Sequence, residues 1–283
     1  MADVLDPDVF NNRGTHVLTR GQRLQLEVNG YVIIENALTA DETGRYYEAM
    51  KRLEKDFKDS DDPGEAMIRN CKLSQYTPHK WHFTHILESQ PEFLEYLSHP
   101  LMVSLAEELV GGSVRLEESE ATINRRPPDL PDFPDGFHYG TRPNYGCYTE
   151  KGLHHCMFVK CLTNLTELGP DDGGTVVIAG SHKLNLPIDE VIDAARQEPS
   201  LVHQIIAPAG STVLFGESLV HATGILRSDN ERVIIIGGYT PTMYQAWIGN
   251  EPSKDYVEQS PDHLKTFLSG DAIWNWARNA RDF

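Results

Sequence analysis

A mainly β domain with a helical buttress in front of it is what this chain predicts, and three observations predict it. Through about residue 113, apolar residues recur at helical spacing between capping and stop signals. From Val114 onward, short β-rich runs alternate with Gly, Pro, Asn and Asp turns, the texture of a sandwich or jelly roll. No internal repeat or low-complexity segment divides the 283 residues, a length that suits one such domain with insertions and buries roughly three quarters of the unfolded surface. The expected organisation is a single domain: a helical part over about 1–113, a jelly-roll core over about 114–245 and a tail over 246–283.

The elements follow in order. Arg20 to Val28 reads as a short helix running into the turn Asn29-Gly30, and Tyr31-Val32-Ile33-Ile34 as a first strand. Thr39-x-x-Glu42 is a capping box, opening a helix whose apolar stripe includes Tyr46, Met50 and Leu53. Asp59 to Gly64 is a polar loop. Pro91 to Leu97 and Leu101 to Val110 are two further helices, the second stopped by Gly111-Gly112. Strands are expected within 114–123, 154–164, 174–179, 203–206, 212–215 and 232–239. Arg125 to Gly136, with four prolines, is a loop leading to His138, and Pro187 to Gln197 is a helical insertion. Trp274 and Trp276 in the tail are expected to cover the barrel or an interface.

Composition excludes more than it names. Hydrophobic content of 40% and charged content of 24% are ordinary for a globular protein. A net charge of -17 argues against a basic surface for nucleic acid or anionic membranes. The four cysteines, Cys71, Cys147, Cys156 and Cys161, contain no Cys-x-x-Cys pair, so neither a zinc ribbon nor a disulfide framework is expected. Cys156 and Cys161 lie in an apolar run and read as small hydrophobes. Met1 to Arg13 is polar with no signal-peptide core, and no stretch reaches the length of a membrane span. The expectation is a cytoplasmic protein.

The chemistry-bearing order is His138-Tyr139-Gly140, then Gly173-Gly174-Thr175-Val176-Val177-Ile178-Ala179-Gly180-Ser181-His182-Lys183, then His221, then Arg232. Non-haem iron oxygenases take two histidines and one carboxylate. The Gly-rich segment is strand punctuation, because P-loop spacing is absent and no helix follows directly. His154 and His155 compete with His138 for the first ligand position. His82 and His85, beside Trp81 and Phe83, read as structural or pocket-lining, as does His79.

Leu168 to Lys183 resembles a signature of the phytanoyl-CoA dioxygenase family. Gly30 to Asn36 is similar to that family's opening strand, and Gly210 to Phe215, leading to His221, to its distal-histidine strand. The resemblance runs from about residue 20 to 245. It implies a double-stranded β-helix, a cupin-like jelly roll, binding Fe(II) and 2-oxoglutarate and using O2 on a small-molecule substrate. It also implies His138 and His221 as metal ligands, Arg232 as the anchor of the 2-oxoglutarate carboxylate and Thr223 as a further contact to that cosubstrate. A planar guanidinium suits the anchoring role because it grips a carboxylate with two donors. His182 falls in the Gly-Ser-His turn and reads as structural.

The family's His-x-Asp is here His138-Tyr139-Gly140, and no His-x-Asp or His-x-Glu occurs anywhere in the chain. Three readings follow. In the first, Gly140 leaves a coordination position open for a halide such as chloride, as in related halogenases, with Thr141 or Arg142 helping to hold it. In the second, the site hydroxylates, with water or Glu217, four residues before His221, in the vacant position. In the third, the protein is a binding barrel without catalysis, against which the presence of Arg232 weighs. The substrate and the oligomeric state are not legible. Arg125, Arg126, His79, His82 and Tyr148 are the further candidates for the pocket wall.

Overall fold

A computed structural model of the chain describes residues 17–139, 146–150, 152–247 and 249–272. Gly140, Thr141, Arg142, Trp274 and Trp276, singled out above, lie outside the described residues.

The first third combines helices with strands. Helix α1 (Arg20–Asn29) is opened by a capping box of Thr19 and Gln22 and closed by Gly30 at φ +85°. Strand β1 (Tyr31–Ile34) follows. Helix α2 (Ala40–Lys58) has the expected capping box, Thr39 accepting from the Glu42 N–H while Glu42 accepts from the Thr39 N–H, and it buries Tyr46, Met50, Leu53 and Phe57. Helices α3 (Pro91–Leu97) and α4 (Pro100–Val110) each begin with proline, and Gly111 ends α4 in the left-handed conformation. Between α2 and α3 lie three strands that sequence patterning passed over: β2 (Met67–Ile68), β3 (Cys71–Tyr76) and β4 (Lys80–Thr84).

These join β5 (Val114–Asn124), β8 (Val159–Asn164), β11 (Thr212–Gly216) and β13 (Arg232–Pro241) in an antiparallel eight-stranded sheet, in the order β1-β11-β8-β13-β5-β4-β3-β2. The run expected over 154–164 is thus two strands, since β7 (Leu153–Cys156) instead pairs with β6 (Cys147–Glu150) in a separate hairpin. A second sheet, β10-β9-β12, is built from β10 (Val202–Gln204), β9 (Val176–Ile178) and β12 (His221–Ala222). Leu162, Val213, Phe215 and Ile234 of the large sheet share one apolar cluster with Val177 of the small sheet, so the two sheets face each other as a jelly roll. The opposite face of the large sheet packs on α2, α3 and α4 through Cys161, Ile235, Tyr96 and Leu105, and on helix α7 (Asp262–Ser269) through Phe267 and Leu268. Helix α5 (Ile188–Gln197), the expected insertion, covers β9 through Val191 and Ala195. A short helix, α6 (Lys254–Gln259), precedes α7 in the tail.

Period-two alternation then fixes the chemistry. On β8, Val159 and Cys161 enter the helical core while Lys160 and Leu162 face between the sheets; on β13, Val233 and Ile235 go to the helices while Arg232 and Ile236 face inward. Glu118, Glu120 and Thr122 on β5, and Lys80 and His82 on β4, join them on the inner face.

Candidate active site

The inner face lines a cavity of about 440 Å³. At one wall stand His138 and His221. Each donates its backbone N–H to the other's carbonyl at 3.0 Å, an isolated antiparallel bridge on the edge of β12, and their rings lie 4.2 Å apart between centroids. His138 Nδ1 is 2.9 Å from the Gly136 carbonyl and His221 Nδ1 is 2.8 Å from the Leu219 carbonyl. A carbonyl only accepts, so each Nδ1 carries the hydrogen and each Nε2 presents its lone pair, the second-sphere arrangement of metal-binding imidazoles. Burial brings the His221 pKa down to about 4, against the pull of Glu217, so the ring is neutral near pH 7.

The competing histidines stand elsewhere. His154 meets His182 edge to face, and His155 stacks on Tyr148 with Nδ1 3.1 Å from the Leu109 carbonyl. Arg125 leaves the pocket to pair with Glu54 and Glu231 on the outside, Arg126 pairs with Asp229, and Tyr148 donates to the Val110 carbonyl. Of those wall candidates only His82 lines the cavity; its Nε2 is 2.9 Å from Glu120, a carboxylate contributed by the neighbouring strand that the local sequence around His82 does not contain.

Arg232 lines the same cavity and is only 3% exposed. Nη1 donates to Thr122 Oγ1 at 3.3 Å and Nη2 to Thr175 Oγ1 at 3.2 Å; the Asn124 amide, turned to satisfy both its groups, accepts from Nη1 at 2.9 Å. Nε has no partner, and among the described residues no carboxylate pairs with the guanidinium. Burial lowers its pKa to about 10. Lys80 is also lowered, by burial first and by Arg232 next, so the same wall carries two cations. A buried cation without a counter-ion is costly, and a bound dianion would relieve it. Thr223 lines the cavity alongside. Thr122, Thr175 and Asn124 were not singled out in the sequence; Thr122 and Asn124 share one face at the end of β5, and Thr175 stands just before β9.

A charged cluster also lines the cavity, and of its members only Glu217 was singled out in the sequence. Lys160 pairs with Glu118 and lies 3.7 Å from Glu217 Oε1, the same oxygen that stands 3.9 Å from His221 Nε2. All three charges are largely buried. Burial pushes the Glu217 carboxyl up, but Lys160 first, then His221 and His138, outweigh it and hold it below its usual range. Burial draws Lys160 down, opposed first by Glu217. Gly238 makes this pairing possible. It stands opposite Glu118 on one side and Lys160 on the other, and a Cβ there would lie 2.8 Å from Glu118 Cβ and 3.0 Å from Phe158. Among the described residues no third His, Cys, Asp or Glu completes a metal-holding set with His138 and His221.

Comparison with known proteins agrees with this architecture. The family model described as phytanoyl-CoA dioxygenase (PhyH) matches residues 26–234. A sequence comparison with curated proteins gives no match. Among solved structures, HygX from Streptomyces hygroscopicus, with nickel and 2-oxoglutarate bound, superposes with a TM-score of 0.65 at 20% identity, over 82% of this chain and 90% of that one. The carbocyclase SnoK of nogalamycin biosynthesis gives 0.62 at 16% identity over 87% and 93%, and AviO1 from Streptomyces viridochromogenes Tue57 gives 0.58 at 21% over 80% and 96%. The match over most of its length, on a jelly roll with paired histidines and a buried arginine in one cavity, makes this chain a member of the phytanoyl-CoA dioxygenase family of iron- and 2-oxoglutarate-dependent enzymes.

Proposed function

We propose that His138 and His221 hold Fe(II) through their Nε2 atoms, that Arg232 with Thr223 receives 2-oxoglutarate, and that the enzyme oxidises an unactivated C–H bond of a small polar molecule. The observation that carries this is Arg232, a guanidinium buried without a counter-ion among the described residues, in the same cavity as two imidazoles whose Nε2 lone pairs are free. A barrel that had lost catalysis would have no use for that arrangement. Bound iron supplies, with 2-oxoglutarate and O2, the oxidant that removes a hydrogen atom from substrate.

This chain's own residues do the rest. Thr122 and Thr175 set the plane of the Arg232 fork. The tautomers fixed by Gly136 and Leu219 leave each Nε2 lone pair free to bind. With 2-oxoglutarate against Arg232, the remaining wall of Gln75, His82, Glu118 and Glu120 is left for substrate. These are hydrogen-bonding groups suited to a hydroxyl- or amine-rich molecule, as hygromycin B is for HygX, whose crystals hold it.

Gly140 brings no carboxylate to the third ligand position, and two fillings are supported by separate observations. Lys160 engages the Glu217 oxygen nearest His221, which favours an open position for chloride and a halogenation. The 3.9 Å separation of Glu217 from His221 Nε2 favours a carboxylate that swings in, and a hydroxylation.

Anaerobic addition of Fe(II) and then 2-oxoglutarate should produce a weak visible charge-transfer band; no band would overturn the assignment of both ligands and anchor. A shift of that band with chloride supports the open position, and Gly140→Asp should then abolish halogenated product. Glu217→Gln separates the fillings: Fe(II) affinity stays within about threefold if the position is open and falls tenfold or more, the scale of a lost ligand contact, if Glu217 fills it.

A further inference from the structure

A second cavity, of about 500 Å³, lies across the 217–220 turn from the first: Glu217 and His221 face the iron cavity, Ser218 and Val220 face this one. Two histidines line it. His154 is 9% and His182 5% exposed, their centroids are 4.9 Å apart, and His154 Nε2 and both His182 ring nitrogens have no hydrogen-bond partner among the described residues.

The same wall carries an exposed thiol, Cys147, and the β6–β7 register sets it directly opposite Cys156. The Met157 N–H donates to the Gly146 carbonyl at 3.0 Å one step along the ladder, so Cys147 and Cys156 occupy a non-hydrogen-bonded pair. At such pairs Cα atoms approach to about 4.5 Å, at the short end of the roughly 4.4–6.8 Å that a disulfide spans, and both side chains lie on one face. Cys156 is buried. It fills the notch left by Gly216, where a Cβ would come within 2.6 Å of Cys156 Cβ, and its thiol donates to the Phe158 carbonyl at 3.3 Å. The two thiols therefore differ: one is open to the cavity and the other is reachable only through the first. Their acidities follow the same division. Cys156 first, then His154 and Ser218, bring the Cys147 pKa down to about 4 against burial, while Cys147 and burial push Cys156 well above the usual thiol range.

We propose that Cys147 is a thiol-exchange site that takes a small organic disulfide from the second cavity, with Cys156 as the resolving thiol. The Cys147 thiolate attacks one sulfur of the small disulfide. The small disulfide's S–S bond breaks, a mixed disulfide forms on Cys147, and one small thiolate leaves. Cys156 then attacks Cys147 Sγ, its proton passing to the departing second small thiolate. The two cysteines lose two electrons to become one disulfide, and the small disulfide gains them to become two thiols. Thiol–disulfide exchange is reversible, so the reaction runs both ways with the surrounding thiol pool. None of this depends on iron or 2-oxoglutarate.

The test uses the full chain and glutathione disulfide as the probe, followed by alkylation of remaining thiols and peptide mass spectrometry. Wild type should acquire a Cys147–Cys156 disulfide with Cys71 and Cys161 still reduced. Cys156→Ser should stop at a glutathione adduct on Cys147, and Cys147→Ser should leave Cys156 reduced. In the untreated wild type, iodoacetamide at pH 6 should modify Cys147 on the order of tenfold faster than the same cysteine in the unfolded chain. Alkylation of Cys147 that follows an ordinary thiol midpoint near pH 8.5, or a Cys156→Ser chain that forms no adduct, would overturn the proposal. The alkylation rate needs no variant, so a variant that failed to fold would still leave the question decided.

Discussion

Arg232 shows most directly how a single side chain can betray a function. A folded chain tolerates a buried guanidinium when a carboxylate answers it, and here three neutral oxygens answer it instead. Arg232→Gln is expected to weaken 2-oxoglutarate binding on the order of 100-fold, the loss of charge-assisted hydrogen bonds worth about 1.5–3 kcal/mol, while Fe(II) binding changes little. Anaerobic titration of the charge-transfer band reads both, and an unchanged 2-oxoglutarate affinity would remove the arginine from the site. His138, His221 and Arg232 were legible in the sequence because their spacing travels with a recognisable Gly-rich segment. Lys160 was not, because a lone lysine in Val159-Lys160-Cys161-Leu162 looks like an outward residue of a half-buried strand until the strand's neighbours are known. His82 was read as pocket-lining and does line the cavity, but its carboxylate partner was out of view: Glu120 is 38 residues away in sequence and one strand away in space.

At the scale of elements, what was legible followed how local each signal is. Helices α1, α2 and α4 declare themselves through capping boxes and a terminal glycine, signals complete within a few residues. Strands β2 and β12, two residues each, are defined by their partners and carry almost no pattern of their own. Strand β3 begins with buried Cys71 and Leu73 and then turns polar, so its alternation is half erased. Strand β13 combines both cases. Its apolar run was plain, but its glycines matter through what stands beside them. Gly238→Val should push β13 from β5 and separate Lys160 from Glu118, costing about 1–3 kcal/mol as overpacking does. Thermal unfolding measures this, and a melting temperature equal to wild type would mean that the strand tolerates the branch and that the cluster has another origin.

Taken whole, the described residues form two facing sheets and a separate hairpin, with helices chiefly on the outer face of the large sheet, and none of these helices is long and apolar enough to cross a membrane. The protein's acid sensitivity is expected to include histidines packed neutral away from the cavity that His138 and His221 line. His155 and His182 both titrate at about 4, burial being the first cause in each. Their folded pKa lies below the unfolded value of about 6.5, so the folded state holds fewer protons between the two, and stability present above pH 6.5 is lost as pH falls toward 4. The loss expected by pH 4 is on the order of 3 kcal/mol from each histidine, about 6 kcal/mol for the pair. Urea unfolding across that range checks it. His182→Gln should flatten the slope, and a stability independent of pH from 6.5 to 4 would contradict the buried neutral state.

The backbone bridge between His138 and His221 carries one more consequence. Each histidine is held by the other's peptide group as part of the smaller sheet's edge, so the spacing of their rings belongs to the folding reaction and not to the arrival of a metal. Proteins whose ligands are gathered only by their ion fall apart in chelator. This one should be stripped to an empty, fully folded shell and refilled, its ordering entropy already spent when the chain folded.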